Sequence, residues 1–539
     1  MAGTQDVVIV GGGHNGLVTA AYLAGRGLKV LVVERRPYVG GASVTEEPWP
    51  GYRVSTAAYV ISLLRPEVAR DLELKRHGLV VYPQDPPYFQ PYPDGRSLML
   101  WNDYAKTREA IRKFSARDAD RYEEYERTLN RLAEFVEPLL MMTPPNPASS
   151  RPRDLLGMLR AARLARALKQ DLFKEIEILT GSARDFLDSW FESEELKALL
   201  CGQAVIGTFA GPRTPGTAYV LFHHVMGEVD GMRGCWGVVR GGMGQVSECI
   251  AQAARERGAV IRCDAPVERI LVADGRASGV VLRGGEEIRA RLVVSNADPK
   301  VTFLKLLDAP RDLPAEFVRA VERFRASGSS VKVNYALAEL PDFSALPGKV
   351  PGPQHRGTID ICPTLDYMER AYDEAKYGRW SSQPFLEAVI PTVYDDSIAP
   401  PGRHIMSVFC QFGPYELKEG TWDTEKEKFG DRVTEIFTRY APNFKSSVLH
   451  RQVVSPLDLE RDFALTHGNI FQGDMTLDQL FFMRPVPGYA DYRTPVRGLY
   501  LCGACTHPGG GVMGAAGRNA AREILHDWRR GRTRMLVTP

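Results

Sequence analysis

No apolar run in the 539-residue chain is long enough to cross a bilayer as a helix. Net charge is also scarce. Lys and Arg number 68 against 66 Asp and Glu, leaving +2, so composition makes no case for nucleic acid as a partner. The eight cysteines are scattered without framework spacing, which excludes a disulfide-stapled scaffold and suits a reducing compartment. No His, Cys, Asp or Glu set has metal-ligand spacing, and no Ser/His/Asp combination is legible. The first apolar strand begins at Val7. That leaves no room for a signal or transit peptide, and the expected location is cytoplasmic. What remains is a chain with 44% hydrophobic and 25% charged residues, the composition of a globular protein. It is too long for one core, so two domains or one domain with a large insertion are expected.

The stretch "VVIVGGGHNGL" lies almost at the start. Val7–Val10 reads as a short buried parallel strand. Gly11, Gly13 and Gly16 then form G-x-G-x-x-G. A helix follows with Leu17, Ala20, Ala21, Leu23 and Ala24 on its buried face, and Gly27 ends it. A second strand runs from Lys29 to Val33, and Glu34 closes it, 23 residues after Gly11. The first glycine permits a tight turn, the second lets a pyrophosphate approach the backbone, and the third lets helix and strand pack closely. The helix N-terminus offers free N–H groups to phosphates. Glu34 is placed for ribose hydroxyls. A lone G-x-G-x-x-G is weak, but here the complete βαβ unit accompanies it. Gly40-Gly41 and then Ser43 follow, a second glycine pair that a plain NAD site does not need.

A second strand–glycine–helix junction lies nearly at the end, in "GLYLCGACTHPGGGVMGAAGRNAAREIL". Leu499–Cys502 reads as a strand and the helix is expected from about Val512. Between the junctions, "RGGMGQVSECIAQAARERGAVIRC" reads as a turn and an amphipathic helix. Strands are expected at Ala265–Ile270 and Val293–Asn296. Ser247 stands where a third glycine would be, and no other G-x-G-x-x-G follows an apolar strand. A dedicated NAD(P)H domain is therefore not expected. Cys502 and Cys505 have C-x-x-C spacing. They can be read as a redox dithiol, or as a small hydrophobe ending a strand and a loop cysteine.

The string "VGGGHNGLVTAAYLAGRGLKVLVVERRPYVGGAS" resembles the extended FAD-binding motif of glutathione-reductase-like flavoproteins. With "DLELKRHGL", "WFESEELKA", "FHHVMG", "GGMG", "LDQLFFMRPVP" and "HPGGGVMGAAGRNAA", the whole chain resembles the superfamily of FAD oxidoreductases that holds phytoene desaturases, carotenoid isomerases and desaturase-like ketolases. The resemblance implies an α/β fold: an FAD-binding Rossmann-type domain of the glutathione-reductase-like class with an inserted α+β substrate domain. The FAD-binding segments would be 1–70, 235–303 and 491–530. The substrate segments would be 71–234, mostly helical, and 304–490, sheet and helices. FAD would be held non-covalently, its ADP end at the first junction and its flavin end at the second. By the same resemblance Gly11, Gly13, Asn15, Gly16, Glu34, Arg35, Gly40, Gly41, Ala42, Ser43, Val267, Asn296, Gly503, Gly511, Val512 and Met513 would bind it, with the Val267 backbone at the adenine.

Two departures matter. Ala504 follows Gly503 where flavin amine oxidases usually carry Asp, and residues 35–60 hold no cysteine, where disulfide reductases place C-x-x-x-x-C. The activity implied is hydride removal from, or isomerisation of, an apolar, polyene or lipid-like substrate. The acceptor would be dioxygen, a quinone or another oxidant. The alternative is a non-catalytic flavoprotein or binding protein, because Rab GDP-dissociation inhibitors share the general fold.

The rest of the chain supplies weaker signals. Ser115 and Asp118 resemble a capping box, and Tyr122, Tyr125, Leu129, Leu132, Val136 and Leu139 fall on one helical face. After a loop from Thr143 to Arg153, Leu155–Gln170 carries Arg160, Arg163, Arg166 and Lys169 and no acid. It is either a solvated face or a peripheral membrane contact. Residues 328–340 and 384–412 alternate like strands that would floor a substrate chamber. His223, His224 and His507 are the histidines expected nearest a site, with a plain core role as the alternative.

Overall fold

Val7, Val8, Ile9 and Val10 are apolar on both sides of the strand, which suits a place inside a parallel sheet covered on two faces. In the computed structural model, which describes residues 4–167 and 171–531, they belong to β1 (Gln5–Val10). α1 (His14–Ala24) and β2 (Val30–Val33) complete the first unit. The chain then supplies β3 (Tyr88–Pro91) and β4 (Ser97–Leu100) to a second sheet. A helical stretch follows, including α2 (Ala116–Leu140), α3 (Pro152–Ala167), α4 (Asp171–Thr180), α5 (Glu194–Val205) and α6 (Thr217–Val225). α7 (Gly244–Glu256), β5 (Val260–Arg262), β6 (Val267–Ala273), β7 (Arg276–Leu282) and β8 (Glu287–Ser295) return to the first sheet. β9 (Ser330–Leu337), β10 (Thr358–Ile361), β11 (Phe385–Val389), β12 (His404–Gln411), α8 (Trp422–Tyr440) and β13 (Val448–Val454) belong to the second. β14 (Leu499–Leu501) and α9 (Ala515–Arg529) end on the first.

The first sheet has the order β5-β2-β1-β8-β7-β6, with β14 also beside β8. β8 serves three partners, pairing parallel with β14 over Val293–Ser295. Its start pairs antiparallel with β7, and from Ala290 to Ser295 it runs parallel beside β1. One face buries Val7, Ile9, Val30 and Val32 under α1, α7 and α9, and the other buries Val8, Val10, Leu31 and Val33. The second sheet has the order β13-β9-β12-β11-β10-β3-β4. Val331, Val333, Val408, Leu386 and Ile359 of its one face pack on Phe429, Val433 and Phe437 of α8.

Several boundaries differ from the sequence expectation. β6 starts at Val267 rather than Ala265, and β8 ends at Ser295, so Asn296 stands just past a strand end. α9 begins at Ala515 rather than Val512, because Gly509, Gly511 and Gly514 hold φ of 116°, 109° and 73° and keep the loop out of helical geometry. At α2, Ser115 Oγ accepts from the Asp118 N–H at 3.0 Å. The Asp118 carboxylate does not close the box. It accepts instead from the backbone N–H groups of Glu192 and Ser193, at 2.9 and 2.8 Å.

The two glycine junctions, nearly five hundred residues apart, meet where α9 crosses α1. A Cβ on Gly517 would lie 2.3 Å from the Asn15 carbonyl oxygen. The Gly517 N–H donates to Asn15 Oδ1 at 3.3 Å, and the Thr19 hydroxyl lies 3.0 Å from the Gly517 carbonyl. Gly517→Val should therefore force the helices apart and cost about 1–3 kcal/mol, the scale of overpacking in a filled core. Urea unfolding would read this as a lower midpoint; an unchanged midpoint would show that the crossing can relax.

Candidate cofactor site

A continuous cavity runs from the carboxyl ends of β1 and β2 to the polar face of the second sheet. Glu34, Arg35, Val267 and Arg283 line one end. Glu34 is buried, because its Oε2 accepts from the Gly12 N–H at 2.7 Å and its Oε1 from the Arg36 N–H at 2.9 Å. Those bonds fix the carboxylate and leave lone pairs directed into the cavity. Arg35 donates to the Arg461 carbonyl at 2.9 Å, so its guanidinium also ties the cavity wall to the second half of the chain.

The middle of the cavity is a backbone cradle. Gly11 has φ of 96°, and a Cβ on Gly13 would come within 2.7 Å of Asn296 Nδ2. Gly40 has φ of 122° and donates its N–H to the Gly12 carbonyl at 2.9 Å, pressing the two glycine turns together. Gly11, Gly13, Asn15, Gly40, Gly41, Ala42, Ser43 and Asn296 all line it. The N-cap of α1, Gly13, has no side-chain cap, and no acid occupies the first turn. The free N–H groups and positive end of that helix therefore stay available to an anion such as a pyrophosphate. Gly16 does not line the cavity. Its Cβ would meet the Gly11 carbonyl at 2.4 Å, so it serves helix-to-strand packing. Ser43 lines the wall while its hydroxyl donates to the Met243 carbonyl at 3.0 Å.

Gly511 and Val512 of the second junction also line the cavity. Gly503 and Met513 do not, contrary to the sequence expectation. A Cβ on Gly503 would sit 2.6 Å from the Asn296 carbonyl, which makes it a packing contact between β14 and β8, and Ala504 lines the cavity in its place. Met513 is buried in the core under α1, with its carbonyl accepting from the Arg65 N–H at 3.1 Å.

Neither the expected histidines nor the cysteine pair joins the cavity. His224 Nδ1 lies 2.9 Å from the Gln203 and Val220 carbonyls, and His507 Nε2 lies 2.9 Å from the Leu139 carbonyl. Burial lowers His223 to about 3 and His224 and His507 to about 4, so all three are neutral packing residues. Cys502 and Cys505 are free, fully buried and in different core clusters on the two faces of the first sheet. Burial pushes the Cys502 thiol up to about 12 and the Cys505 thiol also upward. Neither is a poised thiolate, and the redox reading of the pair fails. His14 does line the cavity; its ring is hydrogen-bonded toward the Gly511 backbone and joins the two junctions.

The end of the cavity at the second sheet holds side chains that the sequence analysis did not single out. Lys332 of β9 is buried, donates to Asn334 Oδ1 at 2.7 Å and sits 4.7 Å over the Tyr59 ring. Burial lowers its ammonium to about 7. Tyr59 stacks on Phe409 and donates its phenol to Glu387 Oε1. Asp360 stands opposite Glu387 in the sheet. Both carboxyls are buried and both are raised by that burial, Glu387 to about 7. Lys332 was findable: it interrupts the apolar string "SVKVNYAL" where Val331 and Val333 turn to the core.

These features fit FAD: a carboxylate for ribose, an uncapped helix N-terminus for pyrophosphate, and a second glycine loop along the same cavity. The purified protein should carry one FAD per chain, released on denaturation. Glu34→Ala should weaken FAD binding by about 1.5–3 kcal/mol, the scale of a hydrogen bond to a charged group. Titration of apoprotein measures this, and undiminished affinity would show that Glu34 does not hold the ribose.

Comparison with known proteins agrees with the geometry. The pattern of the "Flavin containing amine oxidoreductase" family matches residues 16–525. The chain is 45% identical to pyridine nucleotide-disulfide oxidoreductase domain-containing protein 2 of Rattus norvegicus, covering 97% of this chain and 93% of the relative. It is 28% identical to a limonene dehydrogenase subunit of Castellaniella defragrans, covering 97% and 94%. A lycopene-forming phytoene desaturase of Pseudescherichia vulneris is 26% identical, covering 97% and 99%. A solved oxidoreductase from Methanosarcina mazei shares the fold, with a TM-score of 0.60 at 16% identity over 96% of this chain and 99% of that one. The chain belongs to the flavin-containing amine oxidoreductase family, and its cofactor is FAD.

Proposed function

We propose that this FAD oxidoreductase removes a hydride from an apolar, polyene or lipid-like substrate, as a desaturase or dehydrogenase does. The observation that carries the reading is the lining near the second sheet. Ile206, Phe409, Ile470, Phe471 and Tyr59 supply an apolar wall around one basic group, Lys332. The names of two relatives support it, since limonene and phytoene are both hydrocarbons.

FAD, when bound, supplies the acceptor for the hydride, and dioxygen, a quinone or another oxidant would reoxidise it. Forming a carbon–carbon double bond also requires a proton to leave the neighbouring carbon. That proton needs a base in a wall that is otherwise apolar. Lys332 meets the need because burial makes its neutral amine accessible near pH 7. Its hydrogen bond to Asn334 and its seat over Tyr59 hold the nitrogen in place. The other titratable groups nearby are the Cys410 thiol, held neutral by burial, and the Glu387–Asp360 pair behind Tyr59.

Anaerobic mixing with terpenoid and polyene hydrocarbons should bleach the flavin. If none of them does, and the acceptor site is intact, the protein is a flavin-binding protein without this activity. Below about pH 7 the ammonium form of Lys332 cannot accept a proton, so the rate of flavin reduction should rise with pH through about 7 and then level off. Lys332→Met should slow reduction by about a hundredfold or more and flatten that profile, a general-base effect. A profile that survives the substitution would remove Lys332 from the chemistry. NADH and NADPH should reduce the flavin only slowly, because α7 follows its glycine turn without a dinucleotide fingerprint; fast saturable reduction by either would contradict this.

A further inference from the structure

α3 and the first turns of α4 leave large apolar side chains uncovered. On α3, Leu155, Leu156 and Leu159 are 51%, 66% and 49% exposed. The face turned to the protein mixes small and large residues: Gly157 lies against Pro145, and Met158, Ala161, Leu164 and Ala165 are half-buried. On α4, Ile178 is buried in the core and Leu179 packs half-buried against it, but Phe173 is 74% and Ile176 48% exposed. A helix whose only partner is its own protein body keeps its large apolar side chains on the covered face. The alternative read from the sequence, in which the leucines of this helix pack on the body, does not hold for Leu155, Leu156 and Leu159, while Leu164 is half-buried.

Arg160, Arg163 and Arg166 share the outward face of α3 with the leucines. At 100° per residue, Leu155, Arg166, Leu159, Arg163, Leu156 and Arg160 fall in turn across an arc of about 140°. Among the described residues no carboxylate pairs with any of these three arginines. The one acid of the helix, Asp154, is buried and accepts from the Asn146 N–H at 3.2 Å. The start of α3 is held firmly, with Arg153 bonded to both Asp491 and Glu523. The outward face is therefore a fixed surface with leucines set between unpaired guanidiniums. Lys169, counted with the basic face in the sequence, lies outside the described residues.

We propose that α3 and α4 dock the protein on an anionic lipid surface. The alternation selects that partner. Leucine, phenylalanine and isoleucine side chains reach the acyl boundary, while guanidiniums on flexible stems stay at the phosphates between them. An acidic protein groove would satisfy the arginines but would leave the interleaved leucines against carboxylates. No helix of the described residues is long and apolar enough to cross a membrane, so the contact is peripheral.

The test uses the FAD-loaded full chain. It is floated with phosphatidylcholine vesicles, with and without phosphatidylserine, at low and high salt. The protein should float with anionic vesicles at low salt, less at high salt, and not with neutral ones. Substituting Gln for Arg160, Arg163 and Arg166 together should weaken partitioning by about a hundredfold, because three cations no longer meet the headgroups. Leu156→Ser with Phe173→Ser should also weaken it, by removing apolar side chains from the acyl boundary. Neither variant touches the cavity, so FAD content and the flavin spectrum report that each is folded. Three results would overturn the proposal: no flotation at low salt, flotation of both variants equal to that of the unsubstituted chain, or a dimer in solution that Leu156→Ser with Phe173→Ser dissociates. The last would mean that a second copy of the chain covers this face.

Discussion

Much of this structure rests on one backbone contact, the crossing of α9 over α1 at Gly517. Any side chain there would collide with the Asn15 carbonyl. Because the position is glycine, the start of the last helix reaches the start of the first, and the loops before both helices open on one cavity. Glycine is costly in a helix interior, and its use here reflects the space available rather than backbone freedom. Asn15 and Thr19 then join the two helices by hydrogen bonds, and the His14 ring bonds toward Gly511. The cofactor cleft is thus a joint between the two ends of the chain.

The second sheet sets the chemistry at the other end. Its strands alternate, and one set of side chains packs on α8. The other set includes Lys332, Asn334, Ser407, Gln411, Glu387 and Asp360, all buried. Burial without an opposite charge drives lysine toward the neutral amine and carboxyls toward the neutral acid. Tyr59, which comes from the first part of the chain, lies across this face and connects the lysine side to the carboxyl side. Lys332 therefore lines the chamber with its ammonium form disfavoured, and the two carboxyls lie behind Tyr59 with their charged forms disfavoured, which is compatible with an apolar substrate.

The same desolvation removes chemistry elsewhere. His223, His224, His507, Cys502 and Cys505 all have residue types that catalysis uses. Each is packed where its charged form is disfavoured, and none lines the cavity. Residue type and short spacing suggested them, but a side chain becomes reactive only through exposure to substrate and a supporting charge.

The sequence alone determined the first βαβ unit, the acid at its end and the second glycine loop. Those features depend on local rules: apolar runs for buried strands, glycines where φ is positive, and an acid at fixed distance from the turn. The alternation of β9 and β12 was legible for the same reason. Tertiary structure decided everything that depends on which surfaces meet. It made Gly16 and Gly503 packing glycines and gave Gly11 and Gly13 to the cavity, because a glycine's role depends on the atom that its missing Cβ would have touched. It placed Lys332 beside Tyr59, 273 positions earlier in the chain, and buried the lysine. It turned Leu155, Leu156 and Leu159 of α3 outward, although their spacing suits either face. Periodicity shows that a helix has two faces, but only the packed fold determines which of them remains uncovered.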